Sequence, residues 1–108
     1  MSWNQIHELL AEAAGTRADL VHVPSRVIAA HDPEWGASLL GDKTHSMIFD
    51  NSKVKGLVPG FCAEIPFSRG AREIMAYYDA DPARRVVDAK LDALTDKLVA
   101  IAERATAA

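Results

Sequence analysis

Residues 50–61 (DNSKVKGLVPGF) and residues 66–78 (PFSRGAREIMAYY) carry most of what can be predicted about this chain. In the first stretch, Asp50 or Asn51 is placed to cap a short helix, which a Pro-Gly pair ends after about two turns. In the second stretch, a first-turn proline is followed by apolar residues at helical spacing, which predicts an amphipathic helix. Taken alone, these residues are structural and predict no chemistry.

The composition is that of an ordinary globular protein with a single domain, residues 1–108. The net charge of -3, without any basic face, argues against nucleic acid as a partner. Cys62 is the one cysteine, so it makes no intrachain disulfide; we interpret it as a buried hydrophobe and expect a cytoplasmic protein. No apolar run approaches the ~20 residues of a membrane span, and no membrane partner is expected.

Helix signals dominate the remainder of the chain, and strand signals are few. Ser2 and Gln5 fit a capping box for a helix that Gly15 ends, and Asp32 caps another helix that Gly41 ends. We therefore predict a helix-rich α/β fold of the α+β kind, with about five helices and two short strands, which is too few strands for a Rossmann sheet. The elements predicted outside the opening stretches are helices at 2–15, at 32–41 and from 82 to beyond 101, a helical turn at 26–30, and strands at 20–23 and 47–49.

The last predicted helix carries a narrow apolar seam whose residues alternate steps of four and three. We interpret the seam as a surface that packs on the chain's own core. The alternative is a helix–helix contact between chains, as in a homodimer. The seam consists of Val87, Leu91, Leu94, Leu98 and Ile101.

No catalytic or metal-binding constellation is visible in the sequence. The histidines, His7, His22, His31 and His45, form no H-x-x-x-H or H-E-x-x-H pair, and no cysteine pair accompanies them. The sequence has no G-x-S-x-G nucleophile elbow and no phosphate-binding G-x-x-x-x-G-K-[ST] loop. We therefore assign no catalytic residue and no metal ligand to this chain.

The polar loop that begins at Gly41 is the place where ligand-binding side chains cluster. Lys43 and His45 supply cationic donors, and Thr44 and Ser46 supply hydroxyl groups. Such a set suits a phosphate or a diphosphate, because charge-assisted hydrogen bonds to phosphate oxygens are strong. The alternative is an ordinary solvated loop.

Several short motifs follow one another along the chain. They are the helix at 2–15, the run Val21-His22-Val23-Pro24, the residues Asp50, Ser52 and Lys53, then Phe61, Gly70 and Tyr77-Tyr78. This series resembles the C-terminal end of an extended short-chain dehydrogenase of the NAD-dependent epimerase/dehydratase family. There a helix and a strand ending in V-P precede a D-x-S-K-A motif, a Gly-Trp turn, and an E-G-L helix that ends in aromatic residues. The resemblance covers nearly the whole chain.

The chain also departs from this family pattern. Val54 stands for the alanine of D-x-S-K-A, Phe61 for the usual tryptophan, and Arg69 for the acid before the glycine. The turn before the aromatic residue is longer by one residue. The Arg-Pro pair that often precedes D-x-S-K in the family, and that helps to hold a nucleotide-sugar, is missing; Lys43 and His45 lie in that neighbourhood instead.

The resemblance implies the substrate-side domain of an NAD(P)-dependent oxidoreductase. The cofactor loop G-x-x-G-x-x-G and the catalytic Tyr-x-x-x-Lys pair of such enzymes belong to an N-terminal Rossmann domain of the same polypeptide, and neither occurs here. We expect a C-terminal fragment of a longer enzyme that is inactive alone, and a small-molecule substrate of the nucleotide-sugar kind. The substrate-binding residues would be Lys43, His45 and Ser46, and the structural motif residues Asp50, Ser52, Lys53, Phe61 and Gly70.

Two further alternatives stay open at this point. A glycine inside a helix costs ~1 kcal/mol relative to alanine, so we interpret Gly70 as a point of close approach to another element, with a merely tolerated glycine as the alternative. For the chain as a whole, the alternative function is a stand-alone helical module for protein interaction or dimerisation, which would use the apolar seam.

Overall fold

A computed structural model describes residues 1–107 and shows helices joined by loops. This part of the chain contains no β-strand, so its fold is all-α and the prediction of an α/β fold is wrong. The helices are α1 (Trp3–Ala13), α2 (Ser25–His31), α3 (Pro33–Leu40), α4 (Ser52–Leu57), α5 (Phe67–Asp79) and α6 (Ala89–Thr106), with 3₁₀ turns at Asp42–Thr44 and Pro82–Arg84.

The error in fold class comes from the runs at 20–23 and 47–49, which are apolar and rich in β-branched or aromatic residues. Both runs lie in loops, and within residues 1–107 they form no ladder with each other or with any other segment. Such residues favour strands mainly because they pack well against neighbouring strands. A run without a neighbour gains none of that packing, so its composition alone does not make it a strand.

Two helix starts and one helix end that depend on local capping chemistry were predicted correctly. Ser2 and Gln5 form the capping box: Gln5 N–H donates to Ser2 Oγ at 3.2 Å, and Ser2 N–H donates to Gln5 Oε1 at 2.8 Å. Gly15, just beyond α1, has the positive φ of 72° that favours glycine. At the start of α3, Asp32 Oδ1 accepts the N–H of Trp35 at 2.9 Å.

The last helix begins later than predicted, at Ala89. The Asp88 carboxylate accepts two N–H groups of the first turn, each at 3.0 Å, and so fixes the start of α6. Asp81 caps only the 3₁₀ turn Pro82–Arg84. Val87 consequently lies outside α6 and is exposed, so the predicted seam loses its first member.

The chain divides into two compact units, and the first contains residues 1–20 and 50–86. In this unit α1 packs against α5, and Ala71 on α5 is completely buried.

The second unit contains residues 21–49 and 87–107. Here α2 packs against α3, and the two helices approach most closely where Ala29 meets Gly36, which is buried. Leu98 on α6 is the buried member of the predicted seam, with 3% of its surface exposed. The prediction of one domain for residues 1–108 stays a prediction.

Two expectations from composition concern membrane-spanning helices and the burial of Cys62. None of the helices in residues 1–107 is long and apolar enough to cross a membrane. Cys62 is exposed, so its interpretation as a buried hydrophobe is wrong. It lies in the loop between α4 and α5. The cytoplasmic location that the single cysteine suggested remains a prediction.

Candidate functional site

The polar loop predicted to bind an anion follows α3 directly, and its first part is the 3₁₀ turn. The Lys43 side chain folds back over α3, where its ammonium group donates to Ser38 Oγ at 3.2 Å. The same group forms an ion pair with the Asp42 carboxylate at 3.4 Å. The two side chains of this pair are 47% and 62% exposed, and an exposed pair of this kind adds little stability. The ammonium group is thus positioned but remains open to exchange of partners.

Thr44 differs from the other loop residues because its hydroxyl is already used. Thr44 Oγ1 lies 2.8 Å from the carbonyl oxygens of both Leu39 and Leu40, to which it donates. These carbonyls belong to the last turn of α3, where no helical N–H reaches them. Thr44 therefore caps the C-terminal end of α3, and its one hydroxyl hydrogen is not available to a ligand.

His45 and Ser46 complete the predicted substrate-binding set. Both are exposed, and among residues 1–107 neither side chain makes a hydrogen bond or ion pair. His45 has extended backbone angles, φ −104° and ψ 141°, which end the 3₁₀ turn. The structure thus brings Lys43, His45 and Ser46 into one exposed loop, with Lys43 held by two partners and the other two free to contact a ligand.

The D-x-S-K motif forms the start of α4. Asp50 Oδ1 accepts the N–H of Ser52 at 2.9 Å and the Ser52 hydroxyl at 2.5 Å. The hydroxyl, and after it the amide, stabilise the carboxylate, so they hold the pKa of Asp50 below its usual value. Lys53, the next motif residue, is exposed in the first turn of the helix. The Asp and Ser of this motif therefore support the backbone, whereas the Lys53 side chain makes no hydrogen bond or ion pair within residues 1–107.

The remaining motif residues lie in a turn and on α5. Phe61 N–H donates to the carbonyl oxygen of Val58 at 2.9 Å and closes the turn after α4, while its ring stays partly exposed. Gly70 lies on α5, and apart from its chain neighbours and the nearby backbone of its own helix no atom of the described chain lies within 4 Å of the position that a Cβ would occupy. Within residues 1–107 Gly70 is therefore no point of close approach; the alternative, a tolerated glycine, agrees with the structure.

One cluster was not predicted from the sequence, and it surrounds Arg84. The Arg84 guanidinium carbon lies 4.1 Å from the ring centroid of Tyr77, and Nη1 donates to the Tyr77 carbonyl oxygen at 2.7 Å. Asp81 lies 3.8 Å from Arg84 Nε. A cation at the C-terminal end of a helix is favoured by the helix dipole, so this cluster stabilises the end of α5. In the sequence, the only sign of this cluster was the Asp-Pro pair at positions 81–82, which is followed by Arg84.

Within residues 1–107 the usual ligand groups of a metal site and the usual elements of a Rossmann nicotinamide site are not found. Among residues 1–107 no group of three or more His, Cys, Asp or Glu side chains could hold a metal ion. A dinucleotide site of the Rossmann type needs a glycine-rich loop between a strand and a helix, and the described residues contain no strand. Residues four positions after Tyr77 and Tyr78 are Asp81 and Pro82, so neither tyrosine belongs to a Tyr-x-x-x-Lys pair.

The comparisons with known proteins add no relative to this description. No family model, no curated protein and no solved structure matches the chain.

Proposed function

We propose that this chain is the substrate-side part of an NAD(P)-dependent oxidoreductase of the epimerase/dehydratase kind. The observation that carries the proposal is the order and spacing of the motifs along the sequence. The geometry of Asp50 and Ser52 supports it, because these residues hold the start of α4 as a structural D-x-S-K motif would. Without a cofactor loop or a catalytic pair, the chain alone has no enzymatic activity.

Exposed apolar residues support a partner polypeptide. Met47, Ile48 and Phe49 lie together in one loop and are 61%, 96% and 81% exposed. Adjacent large apolar side chains on a surface mark places where another chain or segment binds. In this proposal the partner is the N-terminal Rossmann domain of the same cytoplasmic polypeptide, which binds NAD(P) and supplies the catalytic residues.

The proposed substrate is a small molecule with an anionic group, of the nucleotide-sugar kind. Lys43 is its main cationic contact, and His45 and Ser46 add donors from the same loop. A net charge of -3 on the chain makes a nucleic acid an unfavourable partner.

The first test is the reading frame that precedes the codon for Met1 in the source genome. We expect it to continue upstream and to encode a G-x-x-G-x-x-G loop followed by Tyr-x-x-x-Lys. A stop codon and a ribosome-binding site directly before Met1 would contradict the proposal.

The second test is biochemical. The 108-residue chain should not alter the fluorescence of NADH or NADPH, since it has no site for either; tight binding would contradict the proposal. In the longer polypeptide, Lys43→Ala should raise KM for an anionic substrate more than it lowers kcat. Lys97→Ala, which removes an exposed lysine from α6, is the matched control and should leave both constants unchanged.

The alternative, an interaction module, depends on the exposed end of the seam. Leu98 is buried and Leu94 and Ile101 are half-buried within the chain, but Leu91 remains 49% exposed and Val87 lies open before α6. If the chain associates through this end, Leu91→Ser should shift its sedimentation from dimer to monomer. An unchanged association state would exclude a seam-mediated dimer.

A further inference from the structure

The hydroxyl of Ser38 is a ligand group that the motifs did not reveal. It lies on α3 and accepts a hydrogen bond from the Lys43 ammonium group at 3.2 Å. A serine hydroxyl that accepts a bond keeps its own hydrogen to donate, and within residues 1–107 that hydrogen has no acceptor. An ammonium group and a free hydroxyl donor therefore lie side by side.

The hydroxyl of Thr44 is not free to donate to a ligand, although Thr44 lies next to Lys43 in the sequence. Its hydrogen is taken by the two carbonyls at the end of α3, each 2.8 Å away. A ligand could recruit this hydroxyl only by leaving those carbonyls without a donor. The hydroxyl that can donate to a ligand beside Lys43 is therefore that of Ser38, and the hydroxyl of Thr44, which the sequence suggested, is not available.

Asp42 is the third feature of the loop that bears on ligand binding. Its carboxylate lies 3.4 Å from the Lys43 ammonium group, so it occupies the place that an anionic ligand would take. The pair is exposed, and an exposed ion pair contributes little to stability. An incoming anion can therefore displace the carboxylate at a small cost.

We infer that Ser38 and Lys43 together bind one phosphoryl group, that Thr44 only supports the loop, and that Asp42 competes with the ligand for Lys43. A lysine binds phosphate as a point charge, and the adjacent hydroxyl gives the contact a direction. His45 and Ser46, the exposed residues that follow, extend the donor set. The inference rests on the proposed function only in taking this phosphoryl group to be part of a substrate.

The test uses the 108-residue chain and inorganic pyrophosphate at constant ionic strength, with the backbone amide NMR signals of His45 and Ser46 as the readout. Lys43→Met should weaken binding at least tenfold. Ser38→Ala should weaken it about threefold to tenfold, because one solvent-exposed hydrogen bond is lost. Thr44→Val, its matched control, should leave the affinity of the folded chain unchanged.

Asp42→Asn should strengthen pyrophosphate binding by up to about fivefold, because the competing charge is removed. Asp96→Asn changes the net charge equally from an exposed position on α6 and should have a smaller effect. Equal effects of the two variants, an effect of Thr44→Val as large as that of Ser38→Ala, or no pyrophosphate binding would each overturn the inference. The upstream reading frame decides the proposed function separately, so the two failures are distinguishable.

Discussion

Replacing Gly36 by alanine should separate α2 from α3. A Cβ at this position would lie 2.2 Å from the Cβ and 2.3 Å from the Cα of Ala29, whereas carbon atoms pack at about 3.5–4.0 Å. The second of these atoms is backbone, so no side-chain rotation relieves the overlap and the helices must move apart. Gly70 is the matched control, because the same change there meets open space.

The expected magnitudes follow from two opposing effects. Alanine is favoured over glycine inside a helix by ~1 kcal/mol, and this gain applies at both positions. Overpacking costs about 1–3 kcal/mol, and a clash with backbone lies at the upper end of that range. Gly36→Ala should therefore lower the free energy of unfolding by about 2 kcal/mol, from a cost of ~3 and a gain of ~1. Gly70→Ala should raise it by about 1 kcal/mol.

Urea unfolding followed by tryptophan fluorescence measures both changes. Trp35 precedes Gly36 on α3, so a Trp3→Phe background reports on that unit. Trp3 lies on α1, which packs against α5, the helix that carries Gly70. A Trp35→Phe background therefore reports on the unit that contains residues 1–20 and 50–86. If Gly36→Ala were as stabilising as Gly70→Ala, the close approach of α2 and α3 would be refuted.

Three further predictions concern the core, a helix cap and a carboxyl group. Leu98→Ala should lower the free energy of unfolding, measured with urea, by about 2–5 kcal/mol, because the Leu98 side chain is buried. Leu91→Ala should lower it much less, because Leu91 is exposed, and equal losses would contradict the burial of Leu98. Asp88→Ala should lower the free energy of unfolding by about 1 kcal/mol and should also weaken the helical circular dichroism signal. Asp88→Asn should retain most of the cap, because an amide oxygen also accepts backbone N–H groups. Because the pKa of Asp50 is lowered on folding, its contribution to stability is present above the unfolded-state pKa, near 3.8, and is lost as the pH falls through the folded value. Ser52→Ala should raise the pKa of Asp50 in an NMR titration, and an unchanged value would show that the hydroxyl is not the main cause.

The parts of the fold that depend on neighbouring residues in the sequence were predictable. The capping box of Ser2 and Gln5, the left-handed Gly15 and the Asp32 cap each involve atoms within three residues, and each is present. The start of the last helix was harder, because the chain offers two caps, Asp81 and Asp88. Both accept backbone N–H groups, but only the second is followed by a long helix.

The strand predictions were wrong because strand formation depends on a pairing segment that is not local in the sequence. Residues 47–49 have the composition of a strand, yet a strand is defined by the segment it pairs with, and residues 1–107 supply none. Burial was equally non-local. Nothing in the sequence near Ala71 or Leu98 distinguishes them from other apolar helix residues, yet these are the buried hydrophobic side chains of the described chain.

The candidate site shows the same division between local and tertiary information. Lys43, His45 and Ser46 could be identified because they are close in sequence and have suitable chemistry. Ser38 could not, since its contact with Lys43 requires the chain to turn back over the end of α3. Thr44 lies next to the lysine, but its hydroxyl satisfies the carbonyls at the end of α3. The hydroxyl that lies beside the ammonium group belongs instead to Ser38, five residues before the lysine. Ser38→Ala should therefore change pyrophosphate binding, whereas Thr44→Val should change stability.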